Sequence, residues 1–146
     1  MRGRADIVLA VFAGGCLGGL ARYLVVRGWP VGFGGFPWPT LAVNLLGAFV
    51  LAVLLVLAGQ VWQSRYVRPL LGTGFCGAFT TFSSVVVDAD RLAAHGAGGI
   101  AVGYLAASFL GGVAAAALGL VAARVAVDGF GPAGGTIGDT TGEGGY

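Results

Sequence analysis

Four long apolar runs, separated by short connections, dominate the pattern of hydrophobic and polar positions along this chain. The last three runs contain no charged residue, whereas the first carries Asp6 at its start and Arg22 near its end. The hydrocarbon core of a bilayer is about 30 Å thick, so a helix needs about 20 residues to cross it. The pattern therefore predicts an all-α membrane protein with four transmembrane helices, at residues 5–26, 40–58, 70–87 and 96–123.

These predicted helices form one domain, residues 1–127. Residues 128–146 contain eight glycines, few apolar side chains and no periodicity. Such a segment cannot bury enough apolar surface to offset the entropy of folding. We therefore expect a disordered, glycine-rich tail, and we assign it no function.

Composition supports a lipid environment. Hydrophobic residues make up 57% of the chain and charged residues 10%, against about 25% charged in a typical soluble domain. The formal net charge is +2 and no basic stripe is present, so nucleic acid is not an expected partner. Cys16 and Cys76 fall inside apolar runs and match no metal-ligand spacing, so we interpret them as small packing residues.

The basic residues, all of them arginines, predict an orientation. Arg27 and Arg91 lie on one predicted side of the membrane. Five arginines lie on the other side: Arg2, Arg4, Arg65, Arg68 and Arg124. Cytoplasmic connections carry the excess of basic residues, so both termini are predicted to face the cytoplasm.

The third run contains a polar, glycine-rich stretch at residues 72–84. This stretch is poorly suited to a straight helix, and we expect a break near residues 77–81. A break frees backbone groups that lipid cannot satisfy, so they must face protein, water or an ion. Unwound carbonyls can coordinate a cation, and the N-terminus of a half-helix favours an anion. The alternative is a continuous glycine-rich helix packed against a partner.

Four other polar residues lie within the apolar runs: Arg22, Asn44, Tyr104 and Ser108. The Arg22 guanidinium either snorkels to the interface or draws anions toward a vestibule. The Asn44 amide either bonds a neighbouring helix or donates to a dehydrated anion. Tyr104 and Ser108, spaced i, i+4, form either a hydroxyl ladder along a pore or an interhelical hydrogen bond.

The first run also carries two interleaved Gly-xxx-Gly pairs, formed by Gly14, Gly15, Gly18 and Gly19. Small residues let membrane helices approach closely. The pairs therefore predict a packing face, within one subunit or between subunits.

Three motifs follow one another along the chain. They are Gly-Gly-x-Leu-Gly-x-x-x-Arg-Tyr at 14–23, Thr-Leu-x-Val-Asn-x-x-Gly-x-Phe at 40–49, and Arg-Pro-x-x-Gly-x-Gly-x-x-Gly-x-x-Thr-Thr-Phe-Ser at 68–83. In this order they resemble the Fluc (CrcB) fluoride channels. The resemblance covers the whole chain except the tail.

The resemblance implies an antiparallel dimer in the bacterial plasma membrane, with a narrow anion pore on each side of the interface and passive export of cytoplasmic fluoride. It implies a structural sodium ion at the dimer centre, held by the backbone carbonyls of Gly77 and Thr80. It places Arg22 near a vestibule, and it places six residues along the pores: Asn44, Thr81, Phe82, Ser83, Tyr104 and Ser108. Amide and hydroxyl donors would replace the water around fluoride, and the positive edge of a phenyl ring can face an anion. No catalytic step is required, so an enzyme is not expected.

The chain departs from the family pattern at three positions. Val85 stands where the family has a second pore phenylalanine, Ala78 replaces a glycine, and Asp88 stands where glutamate is frequent. The missing phenylalanine and the arginine bias, which favours one orientation, predict a heterodimer with a related, oppositely oriented subunit rather than a homodimer. In that arrangement one pore is degenerate.

The same residues bear on three competing functions. A small multidrug-type exporter also has four spans, but it needs an acid within the first helix, where this chain has Arg22. A structural partner subunit with vestigial pore residues is favoured by Val85. An intramembrane serine protease needs a Ser–His pair inside the bilayer, and the sole histidine, His95, lies in a connection.

Overall fold

Four helical spans make up the fold in the computed structural model, which describes residues 2–32, 34–60 and 64–129. Helix α1 covers Arg2–Gly28 and α2 covers Trp38–Gln60. The third span comprises a π-helix, π1 (Arg68–Cys76), the short α3 (Gly77–Phe79) and α4 (Phe82–Ala94), and α5 (Gly98–Gly129) is the fourth. All four spans are long and apolar enough to cross a membrane. The predicted four-span, all-α membrane fold is confirmed, and the chain is a multi-pass membrane protein.

The helices extend beyond the apolar runs that predict them. Helix α5 has 32 residues, which at 1.5 Å per residue is about 48 Å and exceeds a hydrocarbon core of about 30 Å. It therefore tilts in the bilayer or projects from it. It continues two residues past the predicted domain end at 127, and residues 130–146 of the predicted tail lie outside the described residues.

Proline and glycine mark the ends of the spans. Pro39 and Pro69 lie in the first turns of α2 and π1, where the missing backbone N–H costs no helical hydrogen bond. Gly34 and Gly96 adopt positive φ angles of 71° and 78° in the first and third connections. Residues with a Cβ rarely adopt these angles, so the glycines permit the turns between spans.

Helix α1 packs directly on the backbone of π1. A Cβ at Gly14 would overlap the Leu70 carbonyl, and a Cβ at Gly18 would overlap the Phe75 carbonyl. The two helices therefore approach to a distance that only glycine allows at these positions.

The predicted glycine face on α1 is narrower than expected. The contact involving Gly14 and Gly18 confirms half of it, but Gly19 has no neighbouring atom within 4 Å of a Cβ position. Gly15 reaches only the Gly74 carbonyl, at 4.0 Å. The second Gly-xxx-Gly pair therefore makes no close packing contact with the part of the chain that the structure describes.

A buried apolar cluster lies between α2, α4 and α5. It consists of Leu41, Val85, Ala89, Leu92, Ala101 and Tyr104. By contrast, many large apolar side chains of α1 and α5 point away from the protein, among them Leu9, Phe12, Phe109, Leu110 and Val113. In a membrane these surfaces are covered by lipid or by another subunit.

The third span is broken, as predicted. Thr80 (φ −79°, ψ 155°) and Thr81 (φ −151°, ψ 117°) have extended backbones between α3 and α4. The prediction of a break near residues 77–81 is confirmed, although the extended part is confined to these two residues. The π-helical winding of the first half was not predicted.

Candidate ion pathway

One side of the break packs against α2, and Thr80 and Thr81 are both half-buried. The Thr80 amide donates to the Cys76 carbonyl at 3.0 Å, and the Thr80 hydroxyl donates to the same oxygen at 2.9 Å. Gly47 of α2 lies against this residue, and a Cβ there would overlap the Thr80 methyl group. The extended backbone thus lies against a neighbouring helix, as the lack of hydrogen-bonding partners in lipid requires.

Asn44 of α2 pairs with the main chain of Thr81 in both directions. Asn44 Nδ2 donates to the Thr81 carbonyl at 3.0 Å, and the Thr81 amide donates to Asn44 Oδ1 at 2.8 Å. The side-chain amide therefore supplies a donor and an acceptor to a residue that is outside any helix. One of the two Nδ2 hydrogens is left for a further acceptor.

Thr81 also begins α4 as its N-cap. Its Oγ1 accepts a hydrogen bond from the Ser84 amide at 3.2 Å and donates to the Ser84 hydroxyl at 3.1 Å. The Ser83 hydroxyl lies 3.2 Å from the same oxygen. Three hydroxyl groups thus gather at a helix N-terminus, where aligned peptide dipoles leave a partial positive charge. Hydroxyl donors and partial positive charge both favour an anion.

The carbonyls of Gly77 and Thr80 are among those that lose their helical partners at the break. In a continuous α-helix the Gly77 carbonyl would accept from the Thr81 amide, and the Thr80 carbonyl would accept from the Ser84 amide. Both amides donate to side-chain oxygens instead. These are the two carbonyls that the resemblance assigns to a cation.

Main-chain oxygens are the cation ligands that this region offers. Gly77 is exposed, and its Cβ position has no atom within 4 Å. Across residues 2–32, 34–60 and 64–129, no three His, Cys, Asp or Glu side chains are grouped to hold a metal ion. The available ligand atoms therefore suit a cation that is coordinated by carbonyl oxygens.

A cavity of about 440 Å³ opens beside the break. Among its lining residues are Arg22, Thr81, Ser83, Ser84, Asp88 and Arg91. Two guanidinium groups face one carboxylate, so the charge of the lining is positive. The structure thus brings the half-buried Arg22 to the same cavity as two of the predicted pore residues, Thr81 and Ser83.

Phe82 follows the break directly and is 81% exposed. A phenyl ring this exposed on a membrane protein is covered by lipid or by a second subunit. Its ring edge carries partial positive charge, so this surface suits contact with an anion as well as apolar packing.

Tyr104 and Ser108 lie apart from the break, on α5. Tyr104 is fully buried, and its ring packs edge-on against Phe36 with centroids 5.4 Å apart. Among the described residues, neither the Tyr104 nor the Ser108 hydroxyl has a hydrogen-bond partner. A buried hydroxyl without a partner costs about 1–3 kcal/mol, so both would be stabilised by a water molecule or an anion. Their assignment to the pore stays a prediction.

Sequence reasoning missed a polar contact between α2 and α4. Thr40 Oγ1 donates to Asp88 Oδ2 at 2.7 Å, and Arg91 Nη1 lies 3.9 Å from Asp88 Oδ1. These three residues also line a second cavity, of about 680 Å³, which adjoins the first. The i, i+3 spacing of Asp88 and Arg91 could have predicted their pairing. Nothing in the sequence indicates the hydrogen bond between Thr40 and Asp88.

The departure at position 85 is located in the core. Val85 is 5% exposed and belongs to the same buried cluster as Tyr104, whereas Phe82 on the same helix is exposed. Val85, one of the three residues that differ from the family pattern, is therefore a packing residue within this chain.

Comparisons with known proteins identify relatives. The family model described as CrcB-like protein, Camphor Resistance (CrcB), matches residues 9–120. The chain is 46% identical over 125 residues to the fluoride-specific ion channel FluC 3 of Streptomyces avermitilis, an alignment that covers 85% of this chain and 61% of that relative. It is 44% identical over 119 residues to FluC 2 of Nocardia farcinica, covering 81% and 85% of the two chains. It is 45% identical over 123 residues to FluC of Rhodospirillum centenum, covering 83% and 98%.

Proposed function

The chain belongs to the CrcB family, and from this premise we propose that it is a subunit of a fluoride-specific ion channel of the bacterial plasma membrane. The observation that carries the proposal is the break at Thr80 and Thr81, where hydrogen-bond donors and a helix N-terminus meet beside a positively charged cavity. The relatives named as fluoride channels support the choice of ion. Membership of this family argues against two of the competing functions, a small multidrug-type exporter and an intramembrane serine protease.

Fluoride is small and strongly hydrated, so entry into a membrane pore needs donors that replace its water. Arg22 attracts the anion into the cavity by long-range electrostatics. The Ser83 hydroxyl and the second Nδ2 hydrogen of Asn44 then offer hydrogen bonds. The Thr81 hydroxyl, which donates to Ser84 in this structure, would have to turn toward the anion to add a third. The exposed ring of Phe82 narrows the path and presents its positive edge.

In a passive pathway, the electrochemical gradient of fluoride sets the direction of transport. A channel of this kind lets fluoride flow down its electrochemical gradient, out of a cytoplasm in which it has accumulated. No residue described here needs to change its covalent state, so the function is conduction without a catalytic step.

A structural sodium ion fits the same break. The Gly77 and Thr80 carbonyls are the ligands that would hold it, and the loss of their helical partners is what supports this assignment. A bound cation would supply fixed positive charge near the anion path. Two oxygens from one chain cannot surround a cation, so a second subunit would have to contribute the remaining ligands.

The second subunit is proposed to be a related chain of opposite orientation. The arginine bias of five to two favours one orientation for this chain, whereas a homodimer would need both. The alternative function, a structural partner subunit whose own pore is degenerate, is favoured by one observation: Val85 contributes no exposed aromatic ring.

Fluoride efflux from liposomes tests the proposal. We expect liposomes that contain this chain, with a related partner where one is required, to release fluoride, as measured with a fluoride electrode. Phe82→Leu should lower the flux about tenfold or more, because the positive ring edge that would face the anion beside the break is lost. Phe12→Leu is the matched control, since Phe12 is a similarly exposed phenylalanine of α1 (69%) that is not among the predicted pore residues.

Two outcomes would count against the proposal. Equal flux through the wild type and the Phe82→Leu variant would exclude Phe82 from the path. Flux that is absent with and without a partner, in protein that elutes as a folded species, would exclude conduction by this chain. Robust efflux by this chain alone would instead argue for a homodimer over the obligatory heterodimer.

A further inference from the structure

Residues of α2 contact the broken part of the third span, through Asn44 and Gly47. Neither Thr80 nor Thr81 is a proline or a glycine, so nothing in their covalent structure forbids a helix, although β-branching makes it slightly less favourable. Both nevertheless have extended backbones. In lipid, a helix is abandoned only where other partners replace its hydrogen bonds.

Asn44 supplies these partners at Thr81. Its two bonds, 3.0 Å and 2.8 Å, occupy the carbonyl and the amide of the same residue. The Thr81 amide is the group that a helix would direct to Gly77. By accepting from this amide, Asn44 Oδ1 keeps the Gly77 carbonyl out of the helical pattern.

The Thr81 hydroxyl has the corresponding effect on the Thr80 carbonyl. Its Oγ1 accepts from the Ser84 amide at 3.2 Å, which a helix would direct to the Thr80 carbonyl. A single hydroxyl therefore caps α4 and withholds a helical bond from the preceding residue. Each of the two released carbonyls is matched by one specific side chain.

We propose that Asn44 and Thr81 are positioning residues for the cation site, because their side-chain oxygens divert the two backbone amides that would otherwise occupy the Gly77 and Thr80 carbonyls. This inference rests on the sodium ion of the proposed function and goes beyond it. It gives Asn44 a role that is exerted through the main chain of the neighbouring span, in addition to any contact with fluoride.

The test uses four variants of the full chain, purified in detergent with its partner where one is required. Asn44→Leu removes both bonds to Thr81, and Thr81→Val removes the hydroxyl while keeping the branched shape. Thr81→Ser retains a hydroxyl and should rescue the site. Thr73→Val is the matched control, because it makes the same chemical change in π1, away from the break.

The first readout is the unfolding temperature in sodium chloride against the same concentration of N-methyl-D-glucamine chloride. A cation that binds only the folded protein raises this temperature. We expect the sodium-dependent rise in the wild type, in Thr81→Ser and in Thr73→Val, and its loss in Asn44→Leu and Thr81→Val. This readout does not depend on fluoride flux.

The second readout is amide hydrogen exchange in sodium-free buffer, which serves if a variant is too unstable for comparison of unfolding temperatures. Exchange at Ser84 should become about tenfold faster in Thr81→Val than in Thr81→Ser, because the amide loses its acceptor. Unchanged protection of Ser84 in Thr81→Val, or a full sodium-dependent rise in both Asn44→Leu and Thr81→Val, would overturn the inference while leaving the proposed cation site intact. No sodium-dependent rise in the wild type would overturn the proposed cation site and this inference with it.

Discussion

The two halves of the third span are held by different kinds of contact. The first half, π1, lies backbone to backbone on α1, through Gly14 and Gly18. The second half, α4, packs through side chains, with Val85 and Leu92 buried in a cluster that includes Tyr104 of α5. Main-chain atoms cannot change rotamer, so the first half should tolerate no added atoms, whereas the second half should accommodate some repacking.

The halves also differ in the charge that they present at the break. The first half is followed by carbonyls that have lost helical partners, at Gly77 and Thr80, and carbonyl oxygens suit a cation. The second half begins with a capped N-terminus at Thr81, whose partial positive charge suits an anion. A single interruption thus creates two neighbouring environments of opposite sign, as the proposed channel, with one bound cation and one conducted anion, would require.

The largest expected effect comes from disrupting the first half. Gly18→Leu would place side-chain atoms in the space of the Phe75 backbone, which cannot move without shifting the whole of π1. We expect destabilisation of about 3 kcal/mol or more, at the upper end for overpacking, measured by chemical or thermal unfolding in detergent. Gly19→Leu is the control, since no atom lies within 4 Å of its Cβ position. Equal destabilisation by both substitutions would mean that the close approach is not what holds π1.

A smaller effect is expected from overpacking the second half. Val85 is 5% exposed beside Tyr104, so Val85→Phe would force a ring into a filled cluster of side chains. We expect a cost of about 2–3 kcal/mol and no gain in fluoride flux, although the substitution restores the family's residue. Val86→Phe is the matched control, because Val86 is 47% exposed on the same helix. A gain in flux with unchanged stability would show that position 85 faces the pore in the assembled channel.

Only part of this fold could be predicted from the sequence. Apolar run length gave the four spans, and the polar, glycine-rich residues 72–84 gave the break, because both depend on local composition in a solvent without hydrogen-bonding partners. The π-helical winding of Arg68–Cys76 was missed, since it accompanies a close contact with α1 that local sequence does not encode. The glycine pairs on α1 predicted such a contact, but they could not show which pair makes it.

The residues of the site show the same limit. The alternatives for the Asn44 amide could be stated from sequence, but only the fold shows that it bonds the main chain of Thr81, which is 37 positions away. The spacing of Tyr104 and Ser108 predicts that they share one face of α5, and in the structure the Tyr104 side chain is buried against its neighbours. Polar spacing predicts that two side chains share a face; it does not predict what that face packs against.

The smallest expected effect comes from a substitution at Gly47 of α2, which packs against the break between the two halves. A Cβ at Gly47 would overlap the Thr80 methyl group and lie 3.3 Å from the Phe79 ring. The Thr80 hydroxyl holds its side chain in place by bonding the Cys76 carbonyl at 2.9 Å, so the methyl group cannot rotate away freely. We expect Gly47→Ala to cost about 1–2 kcal/mol. Thr80→Ser removes the methyl group and keeps the hydroxyl and the carbonyl, so the double variant should recover most of that loss, giving a favourable coupling energy of about 1 kcal/mol in a double-mutant cycle. Strictly additive effects would mean that α2 does not seat the break at Thr80, and the break would then behave as a property of the third span alone.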